Sequence, residues 1–285
     1  MDYLRLMRAP NLFTAMADVL AGFFIVSGGR TGAGDLPWLL LATSALYAGG
    51  CVLNDICDRR IDARERPSRP LPSGRVSSRE ATTLALLLFA AGLSAAYRAG
   101  APAFAVSLLL LLLIVLYDTA AKSRSLAGPL TMGACRAANL LLGMSTVLPL
   151  APEYLLFPLV SFLYVFSLTR LSRFEVSGSP RKGGTVLAGW GVVLLSLFLM
   201  GKSALLAEDS IPFLALFALF TGRGLLRGLL HRTPHMVGRA VGSMVLGIPL
   251  IDAVYVSGIQ GWAYGIPVAL CIIPSLLLSR YFYVT

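Results

Sequence analysis

The amino-acid sequence predicts an all-α, multi-pass transmembrane bundle of nine to ten helices around a central cavity that opens to the cytoplasmic side. Of its 285 residues, 56% are hydrophobic and only 13% are charged, which is too little charge for the surface of a soluble domain of this length. The apolar residues form long continuous runs, which favour helices over the alternating strands of a barrel. Basic residues cluster between these runs, as they do in the loops of membrane proteins.

Ten mainly apolar runs are long enough to cross a bilayer as helices. In chain order they cover residues 11–28, 37–57, 82–98, 101–117, 127–149, 154–173, 185–206, 211–230, 237–257 and 262–282. The first run is long enough to be a retained span and not a cleaved signal peptide. The AGAP sequence at 99–102 marks the only break between the third run and the fourth, which predicts a tight helical hairpin. No long linker interrupts the series, so we expect a single domain over residues 1–285.

The distribution of Lys and Arg provides an independent test of this span count. Twenty of the 24 lie on one side of the predicted membrane, whereas Arg30, Arg98 and Lys202 lie on the other and Arg136 lies within the fifth span. Only a count of ten spans places these twenty basic residues on the same side of the membrane. The positive-inside rule then places both termini and the basic loops in the cytoplasm. The net charge of +10 therefore indicates membrane orientation and not nucleic-acid binding.

Three carboxylates share one helix face where the second span ends. Asp55, Asp58 and Asp62 are spaced i, i+3 and i+7. Such acids repel one another unless a cation lies among them, and clustered carboxylate oxygens are typical of Mg²⁺ bound together with substrate phosphates. The alternative is a solvated helix end whose acids pair with the arginines that follow. The spacing alone does not decide between the two.

A basic loop stiffened by three prolines follows the acids over residues 64–74. Its Arg66 and Arg69 would suit a diphosphate, because phosphate oxygens can bridge a metal ion and a guanidinium group. An ordinary cytoplasmic basic loop is the alternative for any one of these arginines.

The four cysteines are scattered and form no CxxC pair, which predicts neither a disulfide framework nor a zinc site.

The NDICDRRID sequence at 54–62 and the RPSRPLPSG loop at 66–74 together resemble the first aspartate-rich motif of the UbiA superfamily of intramembrane prenyltransferases. Weaker agreement comes from RAPN at 8–11, from YDTAAK at 117–122, and from Arg136 with Asn139 in the fifth span. The resemblance implies a UbiA-like fold. It also implies Mg²⁺-dependent transfer of a prenyl group from a polyprenyl diphosphate to an aromatic or other lipophilic acceptor.

The resemblance further implies roles for individual residues. Asp55, Asp58 and Asp62 would hold Mg²⁺ and the diphosphate, and Lys122 completes the expected catalytic set. Lys122 and Arg136 would face the diphosphate or the acceptor pocket. The residues expected to contact the substrates are Asn11, Asn54, Arg66, Arg69, Tyr117, Asp118, Arg136, Asn139, Arg170, Arg173 and Glu175.

The chain departs from the family pattern where relatives carry a second aspartate-rich motif, which binds another Mg²⁺. Residues 169–178 read TRLSRFEVSG, with Arg170, Arg173 and Ser177 at the positions of the expected acids and only Glu175 as a carboxylate. Two hypotheses follow. The arginines grip the diphosphate directly, or turnover has been lost and the protein binds, carries or moves a prenylated or aromatic lipid.

Two further features distinguish the chain from typical UbiA relatives. The SRFEVSG sequence, together with AVGSMVLGIPLIDA at 240–253, is similar to the UbiA-like branch called EboC. Typical relatives have nine spans, so residues 262–282 form an added helix, or one of the other segments is half-buried and does not span.

Two more acids lie inside predicted spans. An ionisable residue there is a functional candidate. Asp18 lies seven residues after Asn11 on roughly the same helix face, and would either line the cavity or join helices through hydrogen bonds. Asp252 lies nearer the opposite side of the membrane and is expected to be structural.

Overall fold

The computed structural model describes residues 1–28, 34–174, 183–231 and 233–279, and these residues form a bundle of helices with no strand among them. The helices are α1 (Asp2–Leu6), α2 (Ala9–Ser27), α3 (Leu36–Glu65), α4 (Ser78–Ala99), α5 (Ala101–Leu116), α6 (Ala127–Met144), α7 (Leu156–Ser172), α8 (Gly183–Lys202), α9 (Ile211–His231), α10 (Pro234–Leu246), α11 (Ile248–Gln260), α12 (Trp262–Leu270) and α13 (Ile272–Leu278). One turn of π-helix, Tyr117–Ala121, follows α5 directly.

Helices occupy all ten predicted span positions. Eight helical segments in the described part of the chain are long and apolar enough to cross a membrane. The predicted fifth span is α6, which carries Arg136 and Asn139 and is not one of these eight segments. The predicted tenth span is the shorter stretch Trp262–Leu278, which divides into α12 and α13. The predicted all-α, multi-pass bundle is therefore confirmed.

Local sequence signals account for the helix ends on either side of α4. At its start the Ser77 hydroxyl accepts a hydrogen bond from the Glu80 backbone N–H, and the Glu80 carboxylate accepts one from the Ser77 N–H. This reciprocal capping box satisfies two N–H groups that the helix itself cannot. At its end Gly100 adopts a φ of 130°, and Pro102 lies in the first turn of α5. Together they produce the tight hairpin that the sequence predicts.

The bundle has inner and outer helices. More than half of the residues in the apolar stretches of α2, α7 and α10–α11 are buried, whereas under a third are buried in α4, α5, α8 and α9. The outer helices present large apolar side chains on the surface, including Leu87, Leu112, Leu219 and Leu230. Such a surface matches the hydrocarbon of a bilayer. The chain is therefore an integral membrane protein.

Close contact between two glycines and the opposing backbone sets the distance between α2 and α6. A Cβ atom added to Gly22 would overlap the Leu140 carbonyl oxygen, and one added to Gly143 would overlap the Val19 carbonyl oxygen. Small residues allow helices in membranes to approach in this way. Both helices carry buried polar residues, among them Asp18 on α2 and Arg136 on α6.

Candidate active site

A cavity of about 590 Å³ lies among α2, α3, α5, α6, α7, α10 and α11. Charged and amide side chains line the end at which α3 and α5 finish, namely Arg8, Asn54, Asp58, Arg66, Asp118 and Lys122. Apolar side chains one or more turns deeper in the helices line the interior, namely Leu110, Ile114, Met132, Val165, Leu168, Val241, Val245 and Ile248. The cavity therefore suits a ligand with a charged head and an apolar tail.

The long helix α3 divides the predicted acidic triad between two environments. Asn54, Asp58 and Ile61, spaced i, i+4 and i+7, line the cavity. Asp55 and Asp62 are buried against the basic loop beside it. The helix thus presents one of the three predicted acids to the cavity.

A bridging arginine pairs with both buried acids. The Arg69 guanidinium lies 2.7 Å from Asp62 Oδ2 and 3.4 Å from Asp55 Oδ1. Arg8 approaches the same Asp55 oxygen at 3.3 Å and donates to the Asn54 side-chain oxygen at 3.1 Å. Arg69 was predicted to bind substrate, but in the structure it joins the loop to α3 and does not line the cavity.

Lys122 lies between two carboxylates at the cavity mouth, the charged end at which α3 and α5 finish. Its Nζ atom is 2.6 Å from Asp58 Oδ1 and 3.9 Å from Asp118 Oδ1. The side-chain amide of Asn54 donates to Asp118 Oδ1 at 2.6 Å. Residues 54, 58, 118 and 122 were all predicted to lie in the site, and the structure brings them together around one cationic atom.

The donor set at this position fits Mg²⁺ in part. Among the described residues, no three His, Cys, Asp or Glu side chains converge on one point, so the predicted triad is not assembled. However, Asp58 and Asp118 already face a common cation position, which Lys122 Nζ takes in the structure. Mg²⁺ commonly binds through one or two carboxylates together with substrate phosphates. The residues that would hold it are therefore Asp58 and Asp118.

Deeper in the bundle, a second polar group joins α2, α3 and α6. Arg136 Nε lies 2.7 Å from Asp18 Oδ2 and donates through its terminal nitrogen to the Thr14 carbonyl oxygen. Asn139 donates to the same Asp18 oxygen at 2.8 Å and accepts from Thr43 Oγ1 at 2.7 Å. Arg136 and Asn139 line the cavity, as do Asn11 and Tyr117. The alternative that Asp18 joins helices through hydrogen bonds matches this arrangement.

Arg170 and Arg173, which were predicted to contact the substrates, lie at the end of α7. Arg173 donates to the carbonyl oxygens of Lys122, Ser123 and Arg124 at 2.9–3.1 Å, and Arg170 to that of Ser125 at 3.4 Å. Neither side chain lines the cavity. Glu175, the remaining predicted site residue, lies outside the described residues.

Arg8 is a charged cavity residue that was missing from the predicted site. It adopts a left-handed conformation, with φ of 47°, immediately before α2, which is uncommon for a residue other than glycine. That conformation accompanies the contacts of its guanidinium with Asn54 and Asp55, which lie 46 and 47 residues away. The one available sequence signal was its position at the start of the RAPN segment.

Comparisons with known proteins identify related sequences and structures. The profile of the UbiA prenyltransferase family matches residues 15–175. A digeranylgeranylglyceryl phosphate synthase from Ignicoccus hospitalis is 32% identical over 240 residues, which cover 80% of this chain and 78% of the relative. A synthase of the same name from Sulfurisphaera tokodaii is 28% identical over 191 residues, which cover 65% and 68% respectively.

The solved structure of a UbiA homolog from Archaeoglobus fulgidus bound to GPP and Mg²⁺ has a similar fold. It matches with a TM-score of 0.71 and 17% identity over 94% of this chain and 99% of that one. The family match runs from α2 to the end of α7 and includes the acidic end of α3, Lys122 and Arg136. The chain therefore belongs to the UbiA prenyltransferase family.

Proposed function

We propose that the protein transfers a prenyl group from a polyprenyl diphosphate to an aromatic or other lipophilic acceptor, with Mg²⁺ as cofactor. The single observation that carries the proposal is the polarity of the cavity. Arg8, Arg66 and Lys122 line its mouth, and apolar side chains line much of the interior beside the polar group of Arg136 and Asn139. The family membership supports the reaction class. The names of the two synthases and the GPP and Mg²⁺ of the Archaeoglobus structure support the choice of donor and cofactor.

The mouth residues would act on the leaving group. When the allylic carbon–oxygen bond breaks, negative charge accumulates on the departing diphosphate, and cationic groups already in place stabilise it. Bound Mg²⁺ would supply further neutralisation of that charge. Lys122 is held towards the cavity by Asp58. Arg66 is exposed and makes no ion pair with the residues that the structure describes, so its guanidinium is open to a phosphate.

The cavity interior would act on the prenyl chain. The positive charge that remains on the allylic carbon needs an environment that excludes water until the acceptor attacks. Apolar residues of α5, α7 and α10 provide this exclusion. Tyr47 and Tyr117 also line the cavity, and aromatic rings stabilise nearby cations.

The test is a reconstitution of the reaction. Purified protein would be incubated with Mg²⁺, a panel of prenyl diphosphates and a panel of phenolic and glycerophosphate acceptors. Release of diphosphate and formation of prenylated product are the expected results. Asp58→Asn should abolish both, whereas Glu153→Gln, which changes an exposed acid before α7, should not. A lack of diphosphate release with every pair would contradict the proposal.

A non-catalytic binder or transporter of prenyl lipids on the same scaffold is the second candidate. The observation that favours it is the arginine pair at the end of α7, where the family has acids, together with the Lys122–Asp58 ion pair at the cavity mouth. It predicts tight binding of a prenyl diphosphate without turnover. Replacing Arg170 and Arg173 with aspartate would discriminate, because a gain of Mg²⁺-dependent turnover would show that the missing acids had silenced the site.

We further infer that the cavity mouth and both termini face the cytoplasm. The mouth lies at the ends of α3 and α5 that precede loops rich in Arg and Lys, and such loops remain on the cytoplasmic side. A reporter active only in the cytoplasm and fused after residue 285 should be active. Activity of a periplasmic reporter at the same position would contradict the inference.

A further inference from the structure

The turn that carries Lys122 is bound by arginines of a different helix. Arg173 and Arg170, at the end of α7, donate hydrogen bonds to four consecutive backbone carbonyl oxygens of this turn. The acceptors belong to Lys122, Ser123, Arg124 and Ser125. The two arginines lie about 45 to 51 residues from these partners along the chain.

The local structure of the turn explains why it needs such donors. Its backbone leaves regular helical geometry between the π-helical turn Tyr117–Ala121 and the start of α6. Carbonyl groups at a helix end have no partner within the helix. A guanidinium group presents several N–H donors in one rigid plane, so a single Arg173 can bind three neighbouring carbonyls, which an ammonium group cannot do with the same geometry.

The turn is also packed against the start of α6. Gly128, in the first turn of α6, lies so close that an added Cβ would be 3.1 Å from the Lys122 carbonyl oxygen and 3.2 Å from that of Ala121. Arg173 and Gly128 therefore both contact the backbone of the residue whose Nζ lies 2.6 Å from Asp58. A change in the position of this backbone would move the ammonium group at the cavity mouth.

We propose that Arg173, assisted by Arg170, is a positioning residue that holds Lys122 in the cavity. The two arginines stand where the family carries its second acidic motif, and in this chain they act on the substrate through Lys122 without contacting it. The identity of the ligand rests on the proposed prenyl-diphosphate function, but the mechanical role of the arginines does not.

The positioning of the Lys122 turn by the two arginines is tested first, in the absence of any ligand. Hydrogen–deuterium exchange would be measured on detergent-solubilised wild-type protein, on Arg173→Lys and on the matched control Arg124→Lys. Arg124 is an exposed residue in the same turn. Arg173→Lys keeps the charge but loses the planar donors, so exchange across residues 117–126 should become at least about tenfold faster, the effect of losing a charged hydrogen bond. Unchanged exchange there, with a correctly folded variant, would overturn the proposal.

The route through Lys122 is tested by a double-mutant cycle. Binding of geranyl diphosphate with Mg²⁺ would be measured by calorimetry for wild type, Arg173→Lys, Lys122→Met and the double variant. We expect Arg173→Lys to weaken binding about tenfold when Lys122 is present and not at all when it is absent, since coupled residues are non-additive. Additive losses would mean that Arg173 contacts the ligand directly, which would overturn the proposal. If the wild type does not bind, the proposed function fails, and the exchange experiment still decides the mechanical role.

Discussion

Lys122 Nζ lies 2.6 Å from Asp58 Oδ1, so one ion pair joins the turn after α5 to the acidic face of α3. The two side chains are 20% and 22% exposed. The pair is therefore more shielded from water than a surface salt bridge, yet it remains open to the cavity. Each partner can exchange the other for a ligand of opposite charge. Lys122 can bind a phosphate, and Asp58 can bind a metal ion.

Removing the ammonium group should weaken the binding of an anionic head group. For Lys122→Met we expect geranyl diphosphate to bind roughly ten- to a hundredfold more weakly, because a hydrogen bond from a charged donor contributes about 1.5–3 kcal/mol. Calorimetry on the purified protein would measure the loss. Lys122→Arg should recover part of the affinity, and equal binding by the Met variant and wild type would contradict a role in substrate binding.

The acids Asp58 and Asp62 should respond differently to the same substitution. Asp58 lines the cavity, whereas Asp62 is 3% exposed and pairs with Arg69 at 2.7 Å. Asp58→Asn should therefore abolish the Mg²⁺ dependence of ligand binding with little loss of thermal stability. Asp62→Asn should lower stability by about 3 kcal/mol, the effect of breaking a buried ion pair. Magnesium titrations and thermal unfolding curves on both variants would separate the roles. If both variants lose Mg²⁺ dependence and keep stability, Asp62 belongs to the metal site.

The contrast between these acids shows which features of the site helical spacing can predict and which it cannot. Helical spacing predicted residues 55, 58 and 62 on one face, whereas in the structure Asp58 lines the cavity and Asp55 and Asp62 are buried beside it. It could not show that the loop folds back, so that Arg69 reaches Asp55 and Asp62 and leaves Asp58 to the cavity. Local periodicity determines which face a residue occupies, but the partner on that face comes from long-range packing.

The helix positions were easier to predict from the sequence than the contacts within the site. Long apolar runs predicted a helix at every one of the ten positions, because crossing a bilayer imposes length and composition on each segment separately. The tenth segment was predicted as a full span and is the shorter pair α12–α13. Arg8 was missed as a site residue because its role depends on a left-handed backbone and on partners in α3, neither of which leaves a strong pattern in sequence.

The buried acids Asp18 and Asp252 should differ in their tolerance of amide substitution. Asp18 is fully buried and pairs with Arg136, so Asp18→Asn leaves a buried guanidinium without its counter-charge and should cost about 3–5 kcal/mol. Asp252 is also fully buried and lies beside Asp18, but it forms no ion pair with a cation in the described part of the chain. Asp252→Asn should therefore be tolerated. Thermal unfolding in one detergent would compare the two, and a larger loss for Asp252→Asn would show that it holds an ionic partner.

The glycine contact between α2 and α6 should control the polar group at the base of the cavity. A methyl group at Gly143 would overlap the Val19 carbonyl oxygen, and because that obstacle is backbone, the two helices must separate. Separation would stretch the contacts from Asp18 on α2 to Arg136 and Asn139 on α6. Gly143→Ala should therefore lower stability by about 1–3 kcal/mol through overpacking and weaken ligand binding at the same time.

A second glycine supplies the control for this substitution. Gly191, on the outer helix α8, has open space where its Cβ would be, so Gly191→Ala should leave both properties unchanged or raise stability slightly through better helix propensity. Unfolding temperature and affinity for geranyl diphosphate would be measured on both variants. If Gly143→Ala lowered stability but left the affinity intact, the spacing of α2 and α6 would be structural only, and the Arg136 group would not take part in the binding of this ligand.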